Sequence, residues 1–167
     1  MRTLYLLRHA KSSWDDPALP DHERPLAPRG IRDAKRIGKH MRKSGIAPEL
    51  VLCSSARRTR ETLDLLGPAI AAAQLEVEDG LYGASAEELL TRLQELPDEV
   101  PSALLIGHNP AMQDLTLLLA GGGADLPAVE AKLPTGALAT LELEEPWREL
   151  GPKAARLAAY VVPRSLA

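Results

Sequence analysis

The sequence predicts an α/β fold, a three-layer αβα sandwich with a mainly parallel central sheet. Three observations carry that expectation. Short, continuous apolar runs with the length of buried strands occur at residues 3–7, 50–53 and 103–106. Each is followed by a segment with helical signals, so strands and helices alternate from end to end. The 167 residues are 45% hydrophobic, enough for a sizeable core, and no repeat or long linker divides them. One domain over residues 1–167 is expected. With no Phe and only two Trp and three Tyr, its core should be largely aliphatic.

The elements follow in order. The run Thr3 to Leu7 ends at Arg8-His9. From Pro28 to about Ser44 the apolar positions Ile31, Ala34, Ile37 and Met41 recur at helical spacing, with Pro28 suited to the first turn and Gly45 to the stop. Leu50 to Cys53 reads as a second strand leading into a helix that reaches about Ala73, with a break at Gly67-Pro68. Leu75 to Glu78 is a weaker strand. Ser85 and Glu88 form a capping box for a helix to about Leu96. Ala103 to Ile106 is a third buried strand, after which Asn109 suits a helix N-cap and Pro110 the first helical residue. Gly121-Gly122-Gly123 reads as a flexible loop, and 138–143 and 157–162 as strands at the sheet edge.

Charge is unevenly spread. The chain carries −3 overall, yet residues 1–60 hold 14 Lys or Arg against 6 acids and residues 61–167 hold 6 against 17. The basic half contains only Tyr5 and Trp14 as aromatics and no nucleic-acid motif, which argues against a nucleic-acid partner. The basic face of the first helix (Arg29, Arg32, Lys35, Arg36, Lys39, Arg42, Lys43) reads more simply as a solvated face than as a docking surface for an acidic partner. No segment approaches the roughly 20 apolar residues of a membrane span, and no export signal is evident. A single cysteine, Cys53, excludes an intramolecular disulfide framework and suits a reducing compartment, so a cytoplasmic location is expected.

Three strands end in Arg8-His9, in the turn Ser54 to Arg58, and in Gly107-His108. In open α/β sheets ligands bind at the carboxyl ends of strands, so these segments can converge. Two histidines and two arginines would then meet. Such a group suits a phosphoryl group: arginine binds it through a planar, permanently charged fork, and two histidines can divide the roles of nucleophile and charged donor.

The segment LLRHAKSSW resembles the Arg-His-Gly signature of the histidine phosphatase superfamily, also called phosphoglycerate-mutase-like. SSARRTRETL resembles its second motif, LLIGHNP the segment holding its second histidine, and RPLAPRG a fourth match; the likeness spans residues 4 to about 115. With its short length the chain is similar to the small phosphohistidine phosphatases of the SixA type. The resemblance implies a phosphoglycerate-mutase-like fold and a phosphatase that works without metal or organic cofactor. His9 is then the nucleophile that becomes phosphorylated, and Arg8, Arg58 and His108 cradle the phosphoryl group. Arg58 is preferred over Arg57 and Arg60 because it stands four residues after Ser54 and four before Thr62.

Asp79, three residues before Tyr82-Gly83, matches the spacing of the family's proton donor, with Glu78 and Asp15 as rivals. Lys11, Arg24 and Asn109 are further candidates for contact with substrate. Ala10 stands where the family usually has Gly, and Ala27 where it usually has Thr, which removes a cap from the helix beginning at Pro28. The expected substrate is a phosphohistidine in a protein, such as a histidine phosphotransfer domain. A phosphomonoesterase acting on a small metabolite and a noncatalytic phosphate-binding or adaptor protein are the alternatives. Oligomeric state is not legible.

Overall fold

The computed structural model describes residues 1–166. A six-stranded sheet is formed by β1 (Arg2–Arg8), β2 (Leu50–Ser54), β3 (Gln74–Glu78), β4 (Ser102–Gly107), β5 (Leu138–Leu143) and β6 (Arg156–Val161), in the order β3-β2-β4-β1-β5-β6. The first four strands in that order pair parallel. β5 pairs antiparallel with both β1 and β6. The three runs read as buried strands are the central ones, and β2 and β4 are covered on both faces, as their unbroken apolar character requires.

Among the described residues five helices cover the sheet: α1 (Pro28–Lys43), α2 (Arg57–Leu65), α3 (Ala86–Gln94), α4 (Ala111–Leu119) and α5 (Leu126–Ala131). On one face Ile37 and Met41 of α1 and Leu63 of α2 pack with Leu7, Val51, Leu104 and Ile106. On the other, Leu89 and Leu93 of α3, Met112 and Leu115 of α4 and Val129 of α5 pack with Leu4, Leu6, Leu52 and Leu105. The core is aliphatic apart from Trp147, which is fully buried and donates its indole N–H to the Val100 carbonyl at 2.9 Å.

The signals at helix ends act as their chemistry suggests. Ser85 and Glu88 make the reciprocal capping box of α3. Pro28 opens α1 behind Ala27, which supplies no side-chain cap, and Gly45 turns the chain at φ +70° beyond its end. The expected break at Gly67-Pro68 is present: α2 ends at Leu65, and Gly67 at φ +64° and Pro68 begin a separate 3-10 turn. Two expectations need correction. The Gly121–Gly123 run is not a loose loop, because Gly121 N–H donates to Ala155 (2.7 Å) and Leu157 N–H to Gly122 (2.9 Å). Nor is Asn109 the N-cap of α4: Pro110 takes that place, and the helix begins at Ala111.

Two glycines allow close packing at the carboxyl end of β1. Gly30 sits where α1 crosses the segment after β1, and a Cβ there would clash with the Lys11 carbonyl oxygen. Gly136, at φ +78°, donates its N–H to the carbonyls of both Arg8 and His9 at 3.0 Å.

Candidate active site

The carboxyl ends of β1, β2 and β4 bring Arg8-His9, Ser54 and His108 to one place, and the first turn of α2 adds Arg58. The rings of His9 and His108 lie 5.2 Å apart between centroids. His9 is buried, and its Nδ1 stands 2.7 Å from the Ala10 carbonyl. A carbonyl only accepts, so Nδ1 carries the proton and Nε2 keeps its lone pair. The next backbone N–H, that of Ala10, donates to Thr62 Oγ1 at 3.1 Å, which ties the His9 loop to α2. Ala10 is not among the positive-φ residues, so its Cβ is tolerated where the family usually has Gly.

Burial, reinforced by His108, Arg58 and Arg8, pushes His9 down to about 3. Burial first, and then Arg58, push His108 down to about 4. Both rings are therefore neutral at pH 7. His108 Nε2 lies 2.8 Å from Ser54 Oγ, while its buried Nδ1 and the buried Nε of Arg8 have no partner among the described residues. Arg8 also reaches the Leu133 carbonyl through Nη1 at 3.0 Å. A buried polar atom left without a partner costs about 1–3 kcal/mol, and the orphaned Arg8 N–H is a donor whose cost an anion with several acceptor oxygens relieves.

Arg58 is 7% exposed, while Arg57 pairs with Glu61 at 2.9 Å and Arg60 is exposed. The Arg58 fork donates to the Asp21 carbonyl at 2.8 Å and to Asp21 Oδ2 at 3.0 Å. Asp21, unremarked in the sequence, joins several groups. It accepts from Tyr82 Oη at 2.6 Å and from Arg24 Nη1 at 3.1 Å. The Tyr82 hydrogen bond, with those of Arg58 and Arg24, holds its carboxyl far below the usual range. Tyr82 in turn packs edge-on against His108, with centroids 5.7 Å apart.

The remaining candidates stand differently. Asp79 is exposed in a 3-10 turn and, among the described residues, its side chain makes no hydrogen bond or ion pair; Asp21 is the carboxylate joined to the cluster. Glu78 is held by Arg92 through two hydrogen bonds of 2.9 and 2.8 Å, and Asp15 is exposed. Arg24 uses its fork on Ser13, Asp21 and Ser12 and lies over the Trp14 ring at 3.3 Å, so it braces the loop that carries Asp21. The Asn109 amide donates to Leu133 at 2.8 Å, and its oxygen accepts from Gln113 N–H at 3.2 Å. The Lys11 side chain makes no hydrogen bond or ion pair among the described residues. Met112 N–H is likewise taken by the His108 carbonyl, so the start of α4 is less open to an anion than its sequence suggests. Among the described residues no three His, Cys, Asp or Glu side chains gather as a metal-holding group, and no helix is long and apolar enough to cross a membrane.

A mainly parallel sheet with paired histidines and arginines at its carboxyl edge defines a phosphoryl-handling enzyme of the phosphoglycerate-mutase-like class. The sequence pattern of the histidine phosphatase superfamily (branch 1) matches residues 4–114, and the chain belongs to that superfamily as a SixA-like phosphatase. An uncharacterized protein of Mycobacterium tuberculosis is 38% identical over 162 residues, 95% of this chain and 100% of that one. A solved structure from Agrobacterium tumefaciens, provisionally named phosphohistidine phosphatase SixA, is 30% identical with a TM-score of 0.84, covering 97% of this chain and 98% of the other. A similarly named protein of Nakamurella multipartitia is 30% identical at a TM-score of 0.82, over 96% of this chain and 95% of its own.

Proposed function

We propose that this phosphatase hydrolyses protein phosphohistidine, such as that of a histidine phosphotransfer domain, through a phosphorylated His9. The observation that carries this is the state of His9: a neutral ring with its proton fixed on Nδ1 toward Ala10 and its Nε2 lone pair among Arg8, Arg58 and His108. In the first half-reaction Nε2 forms a bond to phosphorus as the bond from phosphorus to the substrate imidazole breaks. The departing electron pair stays on the substrate nitrogen, and the proton on the ring's other nitrogen leaves it a neutral imidazole. Phosphorylated His9 is cationic, and its Nδ1–H bond to Ala10 stabilises that charge. Water then attacks phosphorus, the pair of the P–Nε2 bond returns to His9, and the water's protons pass to phosphate and solvent.

Arg8 and Arg58 offset the charge on the transferring oxygens, and His108 offers its Nδ1. These groups supply the charge stabilisation for a reaction on side chains alone. The substrate class is supported by the state of two nearby carboxyls that could serve as proton donors: Asp21 stays ionised and Glu78 is bound by Arg92. An alkoxide leaving group needs such a donor, whereas an imidazole leaves already protonated. The two SixA-named structures at 30% identity add support. A cytoplasmic setting goes with this reading and fits the lone, buried Cys53.

The test is parallel turnover, with and without EDTA, of a phosphohistidine-bearing phosphotransfer domain, free phosphohistidine and a panel of small phosphate monoesters. Phosphohistidine should be preferred, EDTA should have no effect, and His9→Ala should be inactive. Preference for one small ester would overturn the substrate assignment.

A further inference from the structure

A cleft of about 800 Å³ opens at the same end of the sheet as the active site, between the first half of α1, the end of α5 and the end of β6. Arg29, Arg32, Arg36, Lys132 and Arg164 line it, against the single carboxylate of Asp33. Asp33 lies 3.4 Å from Arg36 and 3.8 Å from Arg29. The side chains of Arg32, Lys132 and Arg164 make no ion pair or hydrogen bond among the described residues. In a chain of net charge −3, this is a concentrated basic surface, and it gathers one part of the α1 charge run into a concave wall.

Its position relates it to the site. Leu7 of β1 pairs with Leu138 of β5, and Leu138 with Val161 of β6, so the cleft residue Val162 is level with Arg8 two strands away. At strand spacing that is about 10 Å. The two sites also share a wall: Leu133 accepts from Arg8, while Pro134 and Thr135 line the cleft. Beside His108 lies a different cleft of about 470 Å³, which carries Glu87 and Asp114 and no cation. The active-site rim therefore changes sign from one side to the other.

We propose that the basic cleft is a docking groove for an acidic segment flanking the phosphohistidine of the protein substrate. The proposal rests on protein phosphohistidine being the substrate. A small phosphate compound held at His9 does not reach the cleft, whereas a polypeptide spans about 10 Å in roughly three extended residues. Carboxylates at that distance complement the unpaired Arg32, Lys132 and Arg164, and Glu87 and Asp114 repel them from the opposite side, which sets orientation.

The test uses two peptides with one phosphohistidine, flanked three to six residues away on both sides by Glu in one and Gln in the other. At low salt the wild-type enzyme should show a KM about tenfold lower for the Glu peptide, with the difference shrinking at high salt. The double variant R32E/R164E should lose that difference and hydrolyse free phosphohistidine at the wild-type rate. Equal KM values for the two peptides in the wild type, a preference that survives in the double variant, or an equal loss on free phosphohistidine would each overturn the groove. If neither peptide nor free phosphohistidine is hydrolysed while a monoester is, the substrate assignment itself fails, and the groove with it.

Discussion

Ser54 Oγ lies 2.8 Å from His108 Nε2 and 3.4 Å from the backbone N–H of Ala56. Accepting from Ala56 leaves the hydroxyl proton free to be donated to Nε2, and in that arrangement the His108 proton sits on Nδ1, the nitrogen that has no partner among the described residues. Ser54→Ala removes this control of the tautomer. Turnover should fall about 10–100-fold, the range seen when a partner that orients a reactive group is removed. The ¹⁵N shifts of His108 should move from the Nδ1–H tautomer toward a mixture. Unchanged shifts would show that Ser54 does not set the tautomer.

Arg58 and its neighbour Arg57 give a contrast within one helical turn. Arg58→Ala should lower turnover about 100–1000-fold and weaken inorganic phosphate binding, as the loss of one charge-stabilising donor does. Arg57 is half-exposed and bonded to Glu61, so Arg57→Ala should change turnover less than about twofold. Steady-state kinetics with phosphate inhibition reads both. Equal effects would mean that the guanidinium at the site is misassigned.

The neutral histidines fix a pH dependence of stability. His9 at about 3 and His108 at about 4 lie below the roughly 6.5 of an unfolded histidine, so the unfolded chain takes up protons that the folded one refuses. Their contribution is fully present above about pH 6.5 and is lost as pH falls from there toward 4 and then 3. Each contributes up to about 1.4 kcal/mol per pH unit within its window. Denaturant titrations at several pH values should show His9→Ala with a shallower fall between pH 6.5 and 4 than the wild type. Parallel curves would contradict a buried neutral His9.

Gly30 links the α1 motif to the nucleophile's loop, because a Cβ there would clash with the Lys11 carbonyl. Overpacking against backbone costs about 1–3 kcal/mol, so Gly30→Ala should lower Tm by roughly 2–12 °C. It should also lower kcat, because the segment that must yield follows His9 directly. Calorimetry and kinetics on the same sample check both effects.

The parts of this molecule legible in its sequence are those governed by local rules. β2 and β4 announce themselves because strands buried on both faces cannot alternate, and the Ser85–Glu88 box marks its helix through two reciprocal bonds. Asp21 was not legible. It sits in a short turn of a proline-rich loop with no periodicity, and Tyr82, which binds it, is 61 residues away. The Asp79 spacing points to the right neighbourhood, since Tyr82 three residues on lies by the site, but it does not reveal that Asp21 is the carboxylate hydrogen-bonded into the cluster. Arg24 reads as a candidate for contact with substrate because nothing local reveals that Ser12, Ser13 and Asp21 fold around it. The short α5 was missed because six residues including Pro127 carry too little periodicity to register.

The most direct test of the central claim is to trap the phosphoenzyme. The wild-type protein is mixed with a phosphohistidine substrate, quenched in alkali during turnover, and examined by intact mass and ³¹P NMR. One added phosphoryl group, mapped to Nε2 of His9 and absent from His9→Ala, is the predicted result. Turnover at a normal rate with no phosphoryl group on His9, or undiminished turnover by His9→Ala, would contradict covalent catalysis by this residue.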